Sequence, residues 1–268
     1  MKNNKVYCGD NVEIMKKFPN ECIDLTVTSP PYDNLRTYNG YSFDFENVAK
    51  ELYRVTKKGG VVVWVVGDAT IKGSETGTSF KQALYFKEIG FNLHDTMIFE
   101  KLNPAPFVHN RQEQAFEYMF VFSKGKPKTV NLKMKKNKSA GKKIHHHSFK
   151  HNGKKIKSFN GKQRETKEFG IDINIWKYKV GWNNSYTEKY LKKHPAIFPE
   201  KLAEDHILVW SNENETILDP FAGSGTTLKM ARLNNRRYVG IDCSKEYCKI
   251  LERRLCDVVA SQLELFKD

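Results

Sequence analysis

Val61 to Val66 is an unbroken apolar run of five valines and one tryptophan. It is short and β-branched, which suits a strand. It shows no polar alternation, so both faces of that strand must be covered. Strands of this kind occur in sheets sandwiched between helices. The flanking sequence fits that layering. Ile23 to Thr28 reads as another buried strand. Phe45 to Thr56 carries apolar residues at helical spacing (Phe45, Val48, Ala49, Leu52, Tyr53), and Gly59-Gly60 is expected to stop that helix. Ser79 to Ile89 reads as a helix closed by Gly90, and Asn92 to Phe99 and Phe116 to Phe122 read as strands. The pattern resumes near Ala196. Glu200 to His206, Thr227 to Leu233 and Glu246 to Cys256 look helical, and Thr216 to Leu218 and Tyr238 to Asp242 look like strands. The expected fold is one doubly wound α/β sheet built from both ends of the chain.

The middle of the sequence breaks this pattern. The 268-residue chain has a net charge of +14, and its excess is concentrated. Between Lys124 and Lys167 there are 16 Lys and Arg against one acid, Glu165. A near-neutral body with one basic segment is what a polyanion binder looks like. Residues 123–193 are polar and glycine-punctuated, with Phe149, Phe159, Phe169, Trp176, Tyr178, Trp182 and Tyr186 among the cations. A structureless loop of that length is improbable in a compact domain unless it is functional. The expected organisation is therefore a catalytic domain from 1–122 and 194–268, with an inserted recognition region at 123–193. Its candidate phosphate contacts are Lys133, Lys135, Lys136, Lys142, Lys143, Lys154, Lys155 and Lys157.

Several classes are excluded. No apolar run approaches the roughly 20 residues that cross a bilayer, and the N-terminus has no signal-peptide core. The five cysteines follow no ligand spacing, which predicts reduced thiols in a cytoplasmic protein. No metal site is expected. His145-His146-His147 with His151 lies in a basic neighbourhood that repels cations.

Asp219-Pro220-Phe221-Ala222-Gly223-Ser224-Gly225-Thr226-Thr227 follows the apolar Thr216-Ile217-Leu218 and opens a helix. The glycines permit a tight turn and close ligand approach. A nucleotide-phosphate loop needs a Lys after its last Gly, and here Thr226 and Thr227 stand instead. Asp219 would repel a pyrophosphate and suits a ligand with positive charge. A nucleotide-like cation points to S-adenosylmethionine, with its sulfonium and ammonium. Asp242 lies 17 residues after Gly225, at the end of the next strand. There a carboxylate can grip ribose hydroxyls.

Thr28-Ser29-Pro30-Pro31-Tyr32 leaves the end of the Ile23 to Thr28 strand. Two successive prolines make a stiff prong whose carbonyls are free to accept hydrogen bonds. Tyr32 adds a flat aromatic face. That pairing suits a planar heterocycle with an exocyclic amine. Hydrogen bonds from both N–H groups localise the amine lone pair for direct in-line attack on a methyl group, with positioning and electrostatics supplying the acceleration. A base inside a duplex has to flip out to reach such a pocket. The basic insert would help offset that cost by holding phosphates.

These two segments resemble the catalytic and cofactor motifs of DNA amino-methyltransferases. Their order, catalytic first and cofactor last with a recognition region between, resembles the circularly permuted β class. The likeness covers about 5–122 and 194–256. It implies a Rossmann-like S-adenosylmethionine-dependent methyltransferase sheet, with Ser29, Pro30, Pro31 and Tyr32 as catalytic residues. Thr28 and Asp219 through Thr227 would line the cofactor pocket, and Asp242 would take the ribose. Cys8-Gly9-Asp10 resembles the segment whose acid contacts the cofactor adenine, making Asp10 the candidate. The segment from His194 to Leu202 resembles the motif that closes over the methionine part, bringing in His194, Pro195 and Phe198. The segment Asn110 to Glu117 resembles the surroundings of the target base, with Arg111 facing DNA and either Phe107 or Phe116 packing on the base. Adenine-N6 members usually begin the catalytic motif with Asp and cytosine-N4 members with Ser, so Ser29 leans toward cytosine N4. Adenine N6 remains the alternative. DNA is the implied partner. A cognate restriction endonuclease, where one exists, would act separately. The expected setting is the cytoplasm of a bacterial, archaeal or phage-infected cell, and monomer and homodimer both stay open.

Two rivals come from other classes. One is a methyltransferase acting on RNA or on a protein glutamine. Glutamine-directed members carry Asn-Pro-Pro-Tyr in an unpermuted order. The other is a non-catalytic nucleic-acid-binding protein, against which Ser29, Tyr32, Asp219 and Asp242 argue.

Overall fold

The computed structural model describes residues 1–31, 43–104, 106, 111–144, 150–151, 154–155, 164–193 and 197–264. It separates into two compact units, one of 1–131 with 174–268 and one of 132–173.

The first unit is built on an eight-stranded sheet. Its strands are β1 (Lys5–Cys8), β2 (Ile23–Thr28), β3 (Thr56–Val66), β4 (Asn92–Lys101), β5 (Phe116–Ser123), β6 (Ile175–Tyr178), β7 (Thr216–Asp219) and β8 (Arg237–Asp242). They lie in the order β1-β8-β7-β2-β3-β5-β4-β6. All neighbours are parallel except β5, which runs antiparallel to both β3 and β4. The sheet is therefore mixed, and both ends of the chain supply its strands.

Helices cover both faces, as the Val61 to Val66 run requires. Val61, Val63 and Val65 join one buried cluster with side chains of α4 (Glu200–Trp210), α5 (Thr226–Leu233) and α6 (Lys245–Glu264). Val62, Trp64 and Val66 join a second cluster with α1 (Asn11–Met15), α2 (Phe45–Val55) and α3 (Thr78–Glu88). Side chains that alternate along the strand thus fill two cores. Fully burying a Val-sized side chain stabilises by roughly 1.5–3 kcal/mol. Among the described residues no helix is long and apolar enough to cross a membrane.

Two expectations need correction. Gly59-Gly60 does not end α2. The helix stops at Val55, and β3 already begins at Thr56 and runs through both glycines. They form a bulge, because pairing with β2 jumps from Ile23–Thr56 to Leu25–Val61. Gly59 has φ +78°, and a Cβ at Gly60 would meet the Thr56 side chain at 2.8 Å. Second, the basic insert is narrower than 123–193. Residues 123–131 and 174–193 belong to the sheet unit. Trp176 and Tyr178, expected among the recognition aromatics, are buried in its core because β6 pairs in parallel with β4.

Among the described residues the second unit contains three short antiparallel pairs. Met134–Lys136 pairs with Phe169–Ile171, Lys143–Ile144 with Arg164–Glu165, and Lys150–His151 with Lys154–Lys155.

Candidate active site

Strand order reverses between β7 and β2. From β7 the chain continues outward to β8, and from β2 it continues the other way to β3. In open α/β sheets the crevice beyond the carboxyl ends at such a point is where ligands bind. Thr28 ends β2 and Asp219 ends β7. The Thr28 hydroxyl donates to Asp219 Oδ1 at 2.6 Å, and the Phe221 amide donates to the same oxygen at 3.1 Å. Asp219 is only 2% exposed. Its burial pushes the carboxyl up to about 6 despite both hydrogen bonds.

The glycine turn is anchored on every side. The Ala222 amide donates to Ile241 O at 2.9 Å, and the Gly223 amide donates to Asp242 Oδ2 at 2.8 Å. Asp242 Oδ1 accepts from the Ser244 amide at 2.8 Å. Burial raises the Asp242 carboxyl, and these two amides oppose that. Gly225 has φ +82°, and a Cβ there would stand 2.7 Å from Leu251 Cγ. The Thr227 hydroxyl donates to Val27 O at 3.0 Å, tying the first turn of α5 to β2. On the other side Asn11 Nδ2 reaches Pro220 O at 3.1 Å, and the Gly9 amide reaches Asp242 O at 2.9 Å. Neighbouring Asp10 is exposed and caps α1 by accepting from the Glu13 amide at 2.9 Å. The ends of β1, β2, β7 and β8 thus meet along one edge of the sheet.

This edge presents carboxylates (Asp10, Asp219, Asp242) beside turn amides, and no lysine follows the last glycine. That donor set fits a nucleoside bearing positive charge and opposes a pyrophosphate. Phe221 is half-buried. Its ring meets Phe43 edge-on at 5.3 Å and Trp64 at 6.1 Å. The Trp64 indole is fixed by a 2.8 Å bond to Gln82 Oε1.

The remaining expected residues fall as follows. Pro30 is buried, and Ser29 and Pro31 are half-buried, directly after Thr28. Ala222, Ser224, Thr226 and Pro220 are buried within the turn. Phe198 packs against the core cluster that includes α4. Tyr32, His194, Pro195, Phe107 and Lys157 lie outside the described residues. Phe116 opens β5, 36% exposed. Arg111 is engaged within the sheet unit, at 3.6 Å from Glu75 and bonded to Gly73 O. In the second unit Lys135 sits 3.6 Å from Asp172 and Lys136 3.4 Å from Glu168. Lys142 and Lys143 are exposed, Lys133 is half-buried, and Lys154 and Lys155 form one strand of a short pair. Among the described residues no group of His, Cys, Asp and Glu could hold a metal.

One residue behind the turn escaped the sequence reading. Arg254, on α6, is fully buried. Its guanidinium donates to Ser224 O and Thr226 Oγ1, both at 3.1 Å. It also pairs with Glu188 at 2.9 Å and with Glu200. Lys229 bridges the same two glutamates at 2.7 Å each. Burial works against the Glu188 carboxylate, yet Lys229 and Arg254 hold it down at about 2. The network locks the glycine turn to α4, α5 and α6. Its sequence signal is weak, because Arg253 and Arg254 are adjacent and Glu188 is 66 residues away.

A family model described as DNA methylase matches residues 23–253. The chain is 62% identical over 245 residues to the orphan methyltransferase M.BamHII of Bacillus amyloliquefaciens, covering 90% of this chain and 92% of that one. It is 29% identical to the type II methyltransferase M.HinfI of Haemophilus influenzae, over 95% of this chain and 69% of the relative. Among solved structures, the PvuII DNA methyltransferase, described as cytosine-N4-specific, superposes with a TM-score of 0.70 at 22% identity. That match covers 95% of this chain and 86% of the other. The M1.HpyAVI–SAM complex gives 0.62 at 24% identity, over 94% and 98% of the two chains. At these identities the structural matches speak to the fold.

Proposed function

The chain belongs to the DNA methylase family, and from that premise we propose that it methylates the exocyclic amine of a flipped DNA base, cytosine N4 in preference to adenine N6. The observation that carries this reading is the Thr28–Asp219 hydrogen bond. It joins the base of the Ser-Pro-Pro prong to the start of the glycine turn, so the two expected half-sites share one crevice.

S-adenosylmethionine, when bound, supplies an electrophilic methyl group on a sulfonium. The chain's own residues do the rest. Asp219 and Asp242 place negative charge where the ligand's cationic and ribose ends are recognised. Phe221 offers an aromatic wall backed by Phe43 and Trp64. Arg254 holds the turn in shape from behind. Pro30 and Pro31 stiffen the backbone beyond Thr28, so that the Ser29 hydroxyl and the prong carbonyls can accept from the target amine. Tyr32 stacks on the flipped ring. The acceleration comes from orientation and fixed dipoles. The 132–173 unit holds phosphates, with 13 Lys and Arg against three acids.

The preference for cytosine rests on Ser29 at the head of the motif. Digesting methylated duplex DNA to nucleosides and separating them by mass tests it. N4-methylcytosine is the expected product. N6-methyladenine would keep the mechanism and overturn the base preference. Methyl groups found only on RNA or protein would overturn the DNA substrate. The expected setting is the cytoplasm of a cell whose DNA is being marked, with any cognate endonuclease acting as a separate protein.

A further inference from the structure

In the 132–173 unit, Met134–Lys136 and Phe169–Ile171 form an antiparallel ribbon in which Met134 faces Ile171 and Lys136 faces Phe169. The ladder extends at both ends, through Asp172 N to Lys133 O at 2.9 Å and Asn137 N to Glu168 O at 2.8 Å. Alternation puts Met134, Lys136, Phe169 and Ile171 on one face and Lys135 with Gly170 on the other. The apolar members of that face are open: Met134 is 52% exposed, Phe169 50% and Ile171 61%, and just beyond the ladder Leu132 and Ile173 are 45% and 51% exposed. Contiguous exposed apolar surface of this kind marks a binding face.

Charge identifies the occupant. The unit has 13 basic and three acidic residues, so a second copy would bring like charge against like, whereas a nucleic-acid duplex is attracted. A two-stranded ribbon fits the major groove of B-form DNA, and the apolar group displayed there is the thymine methyl. We propose that this ribbon enters the major groove and that Met134, Phe169 and Ile171 read thymine methyls, with surrounding lysines on the phosphates. The proposal rests on the reading that the protein acts on DNA, and it adds the face and the chemistry by which sequence is discriminated.

The test uses the full chain and the methylation site located by sequencing DNA that the wild-type protein has modified. Duplexes carrying that site are compared with copies in which uracil replaces thymine, which removes the methyl and keeps the pairing. Wild-type protein is expected to bind the uracil duplex about fourfold more weakly per contacted methyl. The Met134→Ser/Ile171→Ser variant should bind the thymine duplex correspondingly more weakly and lose nothing further on uracil. Its S-adenosylmethionine affinity should be unchanged. Wild-type indifference to uracil, or a variant that keeps the full uracil penalty, overturns the ribbon's role. A variant that only changes from dimer to monomer, with methyl sensitivity intact, overturns it in favour of a second copy. Failure of the wild-type protein to bind or methylate any thymine duplex overturns the DNA reading itself, and is seen before uracil is introduced.

Discussion

Thr28 Oγ1 and Asp219 Oδ1, 191 residues apart in sequence, are joined by a 2.6 Å hydrogen bond at the carboxyl ends of adjacent parallel strands. The contact ties the Ser-Pro-Pro segment that follows β2 to the glycine turn that follows β7. It also sustains a carboxylate in a buried position, where a hydrogen bond to a charged group contributes about 1.5–3 kcal/mol.

Cofactor affinity should depend on pH through Asp219. Its carboxyl titrates at about 6 in the folded protein because it is buried. A cationic ligand favours the ionised form, so binding expels the proton. Affinity should be flat above pH 7 and fall by up to about tenfold per pH unit below 6. Asp219→Asn should bind more weakly at pH 7.5 and lose the pH dependence. Calorimetry with S-adenosylmethionine from pH 5 to 8 checks this, and an unchanged pH dependence in the variant would assign the titration to another group.

Arg254→Met should destabilise the protein by about 3–5 kcal/mol, because it removes a fully buried guanidinium and leaves two half-buried glutamates with Lys229 alone between them. Arg254→Lys keeps the charge but cannot span Ser224, Thr226 and both glutamates. It should fold and bind S-adenosylmethionine at least tenfold more weakly, with DNA affinity little altered. Wild-type cofactor affinity in the folded Lys variant would reduce the network to a structural role.

Acid should loosen the same network. Glu188 is held at about 2, below the ordinary 4.5. A depressed carboxyl contributes stability that is present above about 4.5 and lost as pH falls from there toward 2. Denaturant melts at pH 6 and pH 3.5 should differ less for Glu188→Gln than for the wild-type protein.

Most of the sheet is readable from local pattern. The Val61 to Val66 run, the glycine turn and the acid at the end of β8 each carry their signal within a few residues. What escaped needed distant partners. Ile175–Tyr178 alternates inward Trp176 and Tyr178 with outward Lys177, a normal edge-strand pattern hidden in lysine-rich surroundings. Gly59-Gly60 reads as a helix stop, and only the β2 register reveals the bulge. Arg254 looks like any helical arginine until Glu188, Glu200 and the glycine turn fold around it.

Gly225→Ala should cost stability twice, through φ +82° and through a Cβ 2.7 Å from Leu251 Cγ. The backbone part is about 1–2 kcal/mol. Adding Leu251→Ala should relieve the clash and not the backbone strain, so the rescue is measured against Leu251→Ala alone. Calorimetric melting of the four proteins separates the two contributions, and full rescue would show that the left-handed backbone is not required.

The most direct measurement of the shared crevice pairs cofactor binding with transfer of an isotopically labelled methyl group to duplex DNA, in the same preparations. Wild-type protein should bind S-adenosylmethionine and label DNA. Pro30→Ala and Tyr32→Ala should bind it nearly as well and label far more slowly, and Asp219→Asn should lose most of both. A folded Pro30→Ala that no longer binds the cofactor, or a wild-type protein that binds it and leaves every duplex unlabelled, would contradict the account.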